Sequence, residues 1–312
     1  DLMFEKETTE QGEWDRQEDE FRDWVTRDGS SGYPAEAGRY HLYVSLACPW
    51  AHRTVIVRKL KGLEDAIGMT VLDPIRTDED GWAFRQGDGY SADTVNGWDY
   101  LKEAYTATKP SFHNRVTVPV LWDTQTHRIV SNVDDDIMRM LDGAFDDHTD
   151  VDLNLLPADL LPEIDRVNDF IYPNVNDGVY RCGMSSTQDA YEAAFRCLFG
   201  ALDRLEERLS TRRYLVGSAI TEADWRLFPT LIRFDVVYHG HFKCNLRRIV
   251  DYPNLYGYML DLYQQPGVAE TVNFDHIKRH YYVTHDDINP MGIVPLGPAM
   301  DLTAPHGRDA LS

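Results

Sequence analysis

Arg39-Tyr40-His41-Leu42-Tyr43-Val44-Ser45-Leu46-Ala47-Cys48-Pro49-Trp50-Ala51-His52-Arg53-Thr54-Val55-Ile56-Val57-Arg58-Lys59-Leu60 is the stretch that decides the fold. Up to Ser45 it is β-like, dominated by aromatic and aliphatic residues. From Thr54 onward it reads as a helix. Cys48 stands at the junction, with Pro49 at the first helical position, where a missing N–H costs nothing. An N-cap cysteine meets unpaired amides and the positive end of the helix dipole, which favours thiolate over thiol. Position 51, where a dithiol redox motif carries its second cysteine, is Ala51. Such a site forms a mixed disulfide but cannot resolve it within the motif, so it calls for an external thiol.

Working outward, Met69-Thr70-Val71-Leu72-Asp73-Pro74 reads as a second strand. Ile75 to Pro110 has little pattern and contains Gly81-Trp82-Ala83-Phe84; structureless loops of that length are uncommon inside domains and often functional. Arg115-Val116-Thr117-Val118-Pro119-Val120-Leu121-Trp122 and Arg128-Ile129-Val130 form a hairpin pattern around Asp123-Thr124-Gln125-Thr126. Pro119 would demote such a run unless the Val118–Pro119 bond is special, and a cis bond fits. Asp134 to Leu141 resumes helical spacing. The order β-α-β, long loop, β-β-α predicts an α/β thioredoxin-like domain over 39–145. A polar arm, 1–38, precedes it, with Trp14, Phe21 and Trp24 as docking anchors.

Beyond an acidic linker, helical periodicity covers Ile164 to Tyr172, Gln188 to Leu209, Trp225 to Tyr238 and Leu255 to Tyr263, an all-α domain over 158–280. Thr221-Glu222-Ala223-Asp224 matches a capping box. Pro290, Pro295, Pro298 and Pro305 predict an extended tail over 281–312.

At 312 residues the chain supports two cores. A net charge of −21 repels phosphates and argues against nucleic acid. No apolar run approaches the ~18 residues of a membrane span, so no membrane partner is expected. Cys48, Cys182, Cys197 and Cys244 match neither a disulfide framework nor a zinc motif, which points to a reducing cytoplasm. The last three read as packing residues. His276 and His280 sit four apart, but nothing completes a metal motif, and no metal is expected. Only seven of the 31 basic residues are lysine, a pattern that suits high salt. Unfolding scans are expected to show greater stability in molar than in low salt; equal stability would contradict this.

With these pieces in place the chain resembles the xi-class glutathione transferases, the glutathionyl-hydroquinone reductases. The likeness rests on Cys48-Pro49-Trp50-Ala51-His52-Arg53, Gly81-Trp82, Arg115 to Trp122 and Asp177-Gly178-Val179-Tyr180. It continues in Thr221 to Phe228, His241-Phe242-Lys243-Cys244-Asn245 and His276-Ile277-Lys278-Arg279-His280-Tyr281-Tyr282. The resemblance implies a thioredoxin-like domain followed by an all-helical one, assembled as a homodimer. It implies glutathione as thiol co-substrate and a glutathionyl-hydroquinone as the small-molecule substrate, with Cys48 attacking the conjugate's sulfur. Trp82 is then a lid over the tripeptide, Arg115 contacts its charged groups, and Val118 pairs with its backbone ahead of cis-Pro119. Tyr180 and Tyr281 line the quinol pocket, Tyr282 being the alternative to Tyr281.

One departure stands out. Where the family usually carries Asn-Glu-Ser, this chain has Asn132-Val133-Asp134, at the helix start that grips the γ-glutamyl end. Val133 cannot accept the ammonium, and Asp134 puts an anion in place of a neutral hydroxyl, facing the ligand carboxylate; a salt bridge from Asp134 to the ammonium compensates only in part. γ-Glutamylcysteine is therefore an alternative thiol. Two other functions stay open: an omega-like deglutathionylase or dehydroascorbate reductase, which needs only the thiolate and thiol site, and a non-enzymatic ligand carrier.

Overall fold

The computed structural model describes residues 7–311; the arm's residues 1–6 and residue 312 lie outside them. The chain divides into two compact units. One comprises Gln17–Asn154 and Glu270–Asp286; the other comprises, of the described residues, 7–16, Leu155–Ala269 and 287–311.

The first unit holds β1 (Tyr40–Val44), α1 (Pro49–Leu60), β2 (Gly68–Val71), α2 (Lys102–Thr108), β3 (Val120–Asp123), β4 (Arg128–Ser131) and α3 (Asp134–Gly143). Its sheet runs β2-β1-β3-β4. β1 is parallel to β2, with Leu42 opposite Met69, and antiparallel to β3, with Leu42 also opposite Leu121. β4 closes the hairpin on β3. This is the thioredoxin-like order expected from the sequence. The central strand is inside on both faces, since Leu42, Tyr43 and Val44 are all fully buried. β1 ends at Val44 because Ser45 starts a turn: its hydroxyl accepts the Ala47 N–H at 3.3 Å and its carbonyl the Cys48 N–H at 3.2 Å. α1 is buried all along Pro49 to Val57, His52 and Arg53 included, so no polar face marks it.

The weakly patterned stretch after β2 is tied down. It contains α2 and short bridges, Thr77 to Gly81 and Ala83 to Tyr100 among them. The Asp93 carboxylate gathers the N–H groups of Val95, Asn96 and Trp98 and the hydroxyl of Tyr43. Buried backbone needs such partners wherever no ladder supplies them.

The second unit holds α4 (Leu161–Ile171), α5 (Gly178–Gly183), α6 (Gln188–Leu209), α7 (Glu222–Arg233) and α8 (Pro253–Tyr263). Trp225 to Tyr238 is not one regular helix: α7 passes into a π-helical turn over Phe234–Tyr238, and another, Tyr172–Asn176, links α4 toward α5. The capping box is present, with the Asp224 carboxylate accepting the Thr221 N–H at 2.8 Å. Beyond Thr284 the described tail residues hold no helix yet are anchored: Arg308, 2 % exposed, donates to the carbonyls of Leu209 and Arg213 at 2.9 and 3.0 Å.

Two boundaries differ from those read in the sequence. The extended tail does not begin at 281. A last helix, α9 (Phe274–Thr284), runs through that point, capped by Asn273, whose side chain accepts the His276 N–H at 3.0 Å. The first proline that stops it is six residues beyond its end, at Pro290. By its contacts α9 also belongs with the thioredoxin-like unit rather than with the helices before it. The arm is divided likewise: Gln17 onward lies with the sheet, and residues 7–16 with the helices.

Candidate active site

Cys48 is the N-cap residue of α1, with extended backbone (φ −75°, ψ 123°) and Pro49 immediately inside the helix. Its carbonyl accepts the His52 N–H at 3.0 Å, the first bond of the helical ladder. Cys48 is 8 % exposed, and its S–H donates to the Val118 carbonyl at 3.7 Å. The Val118–Pro119 bond is cis, and both residues are buried. The first turn of α1 carries no acid, so nothing on that turn opposes the attraction of the helix terminus for a thiolate. A thiol beside a carbonyl-bearing cis-proline loop, at a positive helix end, is equipped for thiol–disulfide exchange.

The cis-proline loop is held from behind. Tyr105 hydroxyl donates to the Thr117 carbonyl at 2.7 Å and accepts the Thr117 N–H at 3.1 Å. Arg115, half-buried, stands at the start of this loop, its backbone N–H on Gln17 Oε1 at 3.2 Å. The arm thus reaches the loop through Gln17, and through Asp19, which accepts from the Thr117 hydroxyl at 3.3 Å.

Val133 is the N-cap residue of α3, and its N–H is taken by the Ser131 hydroxyl at 3.1 Å. Asp134, 6 % exposed, accepts from Arg53 Nη1 at 2.8 Å, and the same nitrogen reaches Asp135 at 3.0 Å. Asp134 is therefore an anion already paired within the protein. The α1 guanidinium itself lies 5.0 Å from the Trp50 ring centre. One guanidinium thus holds two carboxylates together at the start of α3.

Trp82 is 5 % exposed. Its indole stacks on His280 of α9, centroids 5.1 Å apart at 16°, with the Arg76 guanidinium 5.9 Å from the ring centre. His280 is fixed in turn, its Nδ1–H donating to the Pro74 carbonyl at 2.7 Å. Tyr281, 1 % exposed, lies between His280 and His285, at 5.2 and 5.5 Å. Tyr282 is half-buried, and burial raises its hydroxyl pKa above the usual value. Of the two tyrosines, Tyr281 is the one packed into the Trp82–His280 group. Reading the sequence missed His280, His285 and Arg53 as supports; His280 stood beside Tyr281 in a stretch already singled out.

His52 closes this region, its Nε2 2.8 Å from the Thr271 hydroxyl. Among the described residues no group of three or more His, Cys, Asp or Glu side chains is arranged to hold a metal ion, and no helix is long and apolar enough to cross a membrane.

Tyr180 belongs to the helical unit, on α5, its ring flanked by Trp14, Tyr238 and Phe242 at 6.2, 6.0 and 5.3 Å. Cys182 and Cys244 are buried there, and burial pushes the Cys244 thiol up, helped by neighbouring Cys182. Cys197 differs from its reading as a packing residue: it is exposed, because Leu198, Phe199 and Leu202 turn the opposite face of α6 inward.

Comparison with known proteins matches residues 47–144 to the glutathione S-transferase N-terminal domain and residues 188–260 to the glutathione S-transferase C-terminal domain. The chain is 50% identical over 305 residues to the glutathionyl-hydroquinone reductase YqjG of Escherichia coli, covering 96% of this chain and 93% of the relative. The glutathione-bound structure of YqjG superposes with a TM-score of 0.91, covering 93% of this chain and 96% of that one at 50% identity. The glutathionyl-hydroquinone reductase PcpF of Sphingobium chlorophenolicum is 50% identical over 291 residues, 93% of this chain and 91% of PcpF. A xi-class glutathione transferase structure from Natrialba magadii gives a TM-score of 0.92 at 51% identity, covering 93% of this chain and 89% of that one.

Proposed function

The chain belongs to the xi-class glutathione transferases, and from that premise we propose that it is a glutathionyl-hydroquinone reductase working through Cys48. The Cys48 thiolate attacks the sulfur of the conjugate. The new S–S bond forms as the sulfur–ring bond breaks, and its electron pair passes to the ring carbon, which takes a proton to give the free hydroquinone. A second thiol attacks the Cys48 mixed disulfide, leaves as a disulfide with the captured group, and returns Cys48 to its thiol. Splitting one C–S cleavage into two exchanges is the gain of covalent catalysis. The observation that carries the reading is Cys48 at the α1 terminus, its sulfur 3.7 Å from the carbonyl ahead of cis-Pro119.

Trp82, Arg115, Val118, Pro119, Val133 and Asp134 are proposed to hold the γ-glutamyl thiol, and Tyr180 and Tyr281 to act on the quinol. Their hydroxyls hydrogen-bond the ring oxygen and assist proton delivery to the ring carbon. Tyr281→Phe combined with Tyr180→Phe is expected to lower kcat for conjugates by about 10²-fold while exchange with a simple mixed disulfide persists. Unchanged conjugate turnover would favour the broader omega-like reading.

The thiol is proposed to be recognised through its γ-glutamyl end, with the Arg53–Asp134–Asp135 group facing the ammonium. γ-Glutamylcysteine, which shares that end, is then expected to support turnover at least as well as glutathione. Steady-state rates with each thiol check this, and a tenfold or greater preference for glutathione would remove γ-glutamylcysteine as the native thiol.

A further inference from the structure

The arm segment before Gln17 has no part in the chemistry assigned so far, yet it is built into the wall around Tyr180. Its turn is locked to the junction of α5 and α6. The Ser186 N–H donates to the Gly12 carbonyl at 3.0 Å, and the Thr187 hydroxyl to the Gln11 carbonyl at 2.9 Å. Gly12 has φ +80°, and a Cβ there would come within 2.6 Å of Thr187, so the close approach needs glycine. Thr8 and Trp14 form an antiparallel bridge across this turn, and Trp14 is 6 % exposed.

Two contacts follow. The Trp14 Nε1–H donates to Asp177 Oδ1 at 3.0 Å, while Asp177 Oδ2 accepts from Arg181 at 2.8 Å. Asp177 is the N-cap residue of α5, three positions before Tyr180. The indole also stacks on the Tyr180 ring, 6.2 Å between centroids and 25° between planes. Phe242 meets that ring edge-on and Tyr238 at a tilt. Trp14 therefore supplies a parallel face and, through Asp177, fixes the start of the helix that carries the tyrosine.

We propose that Trp14 is a positioning residue for the reaction, setting the ring of Tyr180 and hence the direction of its hydroxyl toward the quinol oxygen. The proposal rests on the reading of Tyr180 as a quinol-binding group. Holding a hydrogen-bonding group within a fraction of an ångström of its productive place is what such packing contributes to rate.

The test uses the full chain with Trp14→Ala, Trp14→Phe, Tyr180→Phe and the Trp14→Ala/Tyr180→Phe double variant. Each is assayed on a glutathionyl-hydroquinone and on the mixed disulfide of glutathione and 2-mercaptoethanol, which needs no quinol contact. Trp14→Ala is expected to lower kcat for the conjugate about tenfold without slowing disulfide exchange. Trp14→Phe, which keeps an aromatic face, should recover most of that loss. The double variant should be no slower than Tyr180→Phe alone, as expected for residues acting through one group. Equal losses in both assays would make Trp14 a purely structural residue and overturn the proposal. Additive losses, or a normal Trp14→Ala beside an impaired Tyr180→Phe, would overturn it too. A fully active Tyr180→Phe would instead strike down the assignment of Tyr180, and Trp14 with it.

Discussion

Cys48→Ala is expected to lower conjugate reduction by at least about 10³-fold, the scale on which removal of a covalent nucleophile acts. The motif itself holds no second thiol to replace it: the position that would carry one is Ala51. The fold should tolerate the change. The sulfur's contact with Val118 is a long S–H···O bond of 3.7 Å, and α1 keeps Pro49 and its backbone ladder. Cys48→Ser separates nucleophilicity from shape: it keeps a small polar side chain at the N-cap position and is expected to be nearly as inactive, since an alkoxide is not available near neutrality. Steady-state rates together with thermal melts check this, and substantial turnover by either variant would contradict the assignment.

The second large effect falls on stability. Asp224 is fully buried and accepts three strong bonds: the Leu215 N–H at 3.0 Å and the Tyr258 hydroxyl at 2.7 Å on one oxygen, and the Thr221 N–H at 2.8 Å on the other. Asp224→Ala leaves those donors buried without an acceptor. At about 1–3 kcal/mol for each stranded group, the loss is about 3 kcal/mol or more, a large share of the roughly 5–15 kcal/mol that holds a domain together.

Burial raises the Asp224 carboxyl from 3.8 to about 6, against the bonds from Thr221, Leu215 and Tyr258 that pull it down. A carboxyl with a raised folded pKa binds its proton more tightly in the folded state. Its contribution is therefore fully present below about pH 4 and is lost as pH climbs through about 6. The Ala variant lacks this dependence, so the stability gap between wild type and Asp224→Ala should be wider at pH 4.5 than at pH 7, by about 1–3 kcal/mol. Urea titrations of both proteins at the two values measure it. An equal gap at both would contradict the burial-driven shift.

How much of this was readable from residues alone depends on where the determining contacts lie. The Cys48 junction was legible because its signals are local: a strand pattern, Pro49 and an apolar run. Gln188 and Leu209 bound α6 as the periodicity indicated, and the capping box and the cis Val118–Pro119 bond stood in short motifs. α9 was not legible as part of the thioredoxin-like unit, because its buried face is His276, Ile277, His280 and Tyr281. A face of histidines and tyrosine scores as polar until its partners are known. The Trp82–His280 stack and the Arg53 brace on Asp134 and Asp135 join distant segments, and no spacing rule connects them. Cys197 is the opposite case: Leu198, Phe199 and Leu202 already implied an inward face of α6 that excludes it.

The most direct test is a single turnover of the enzyme with a glutathionyl-hydroquinone, without free thiol, followed by intact-mass and peptide-mass analysis. One glutathionyl group on Cys48, with one equivalent of free hydroquinone released, is the expected result. Hydroquinone released while Cys48 stays unmodified, or an adduct on another cysteine, would contradict the account.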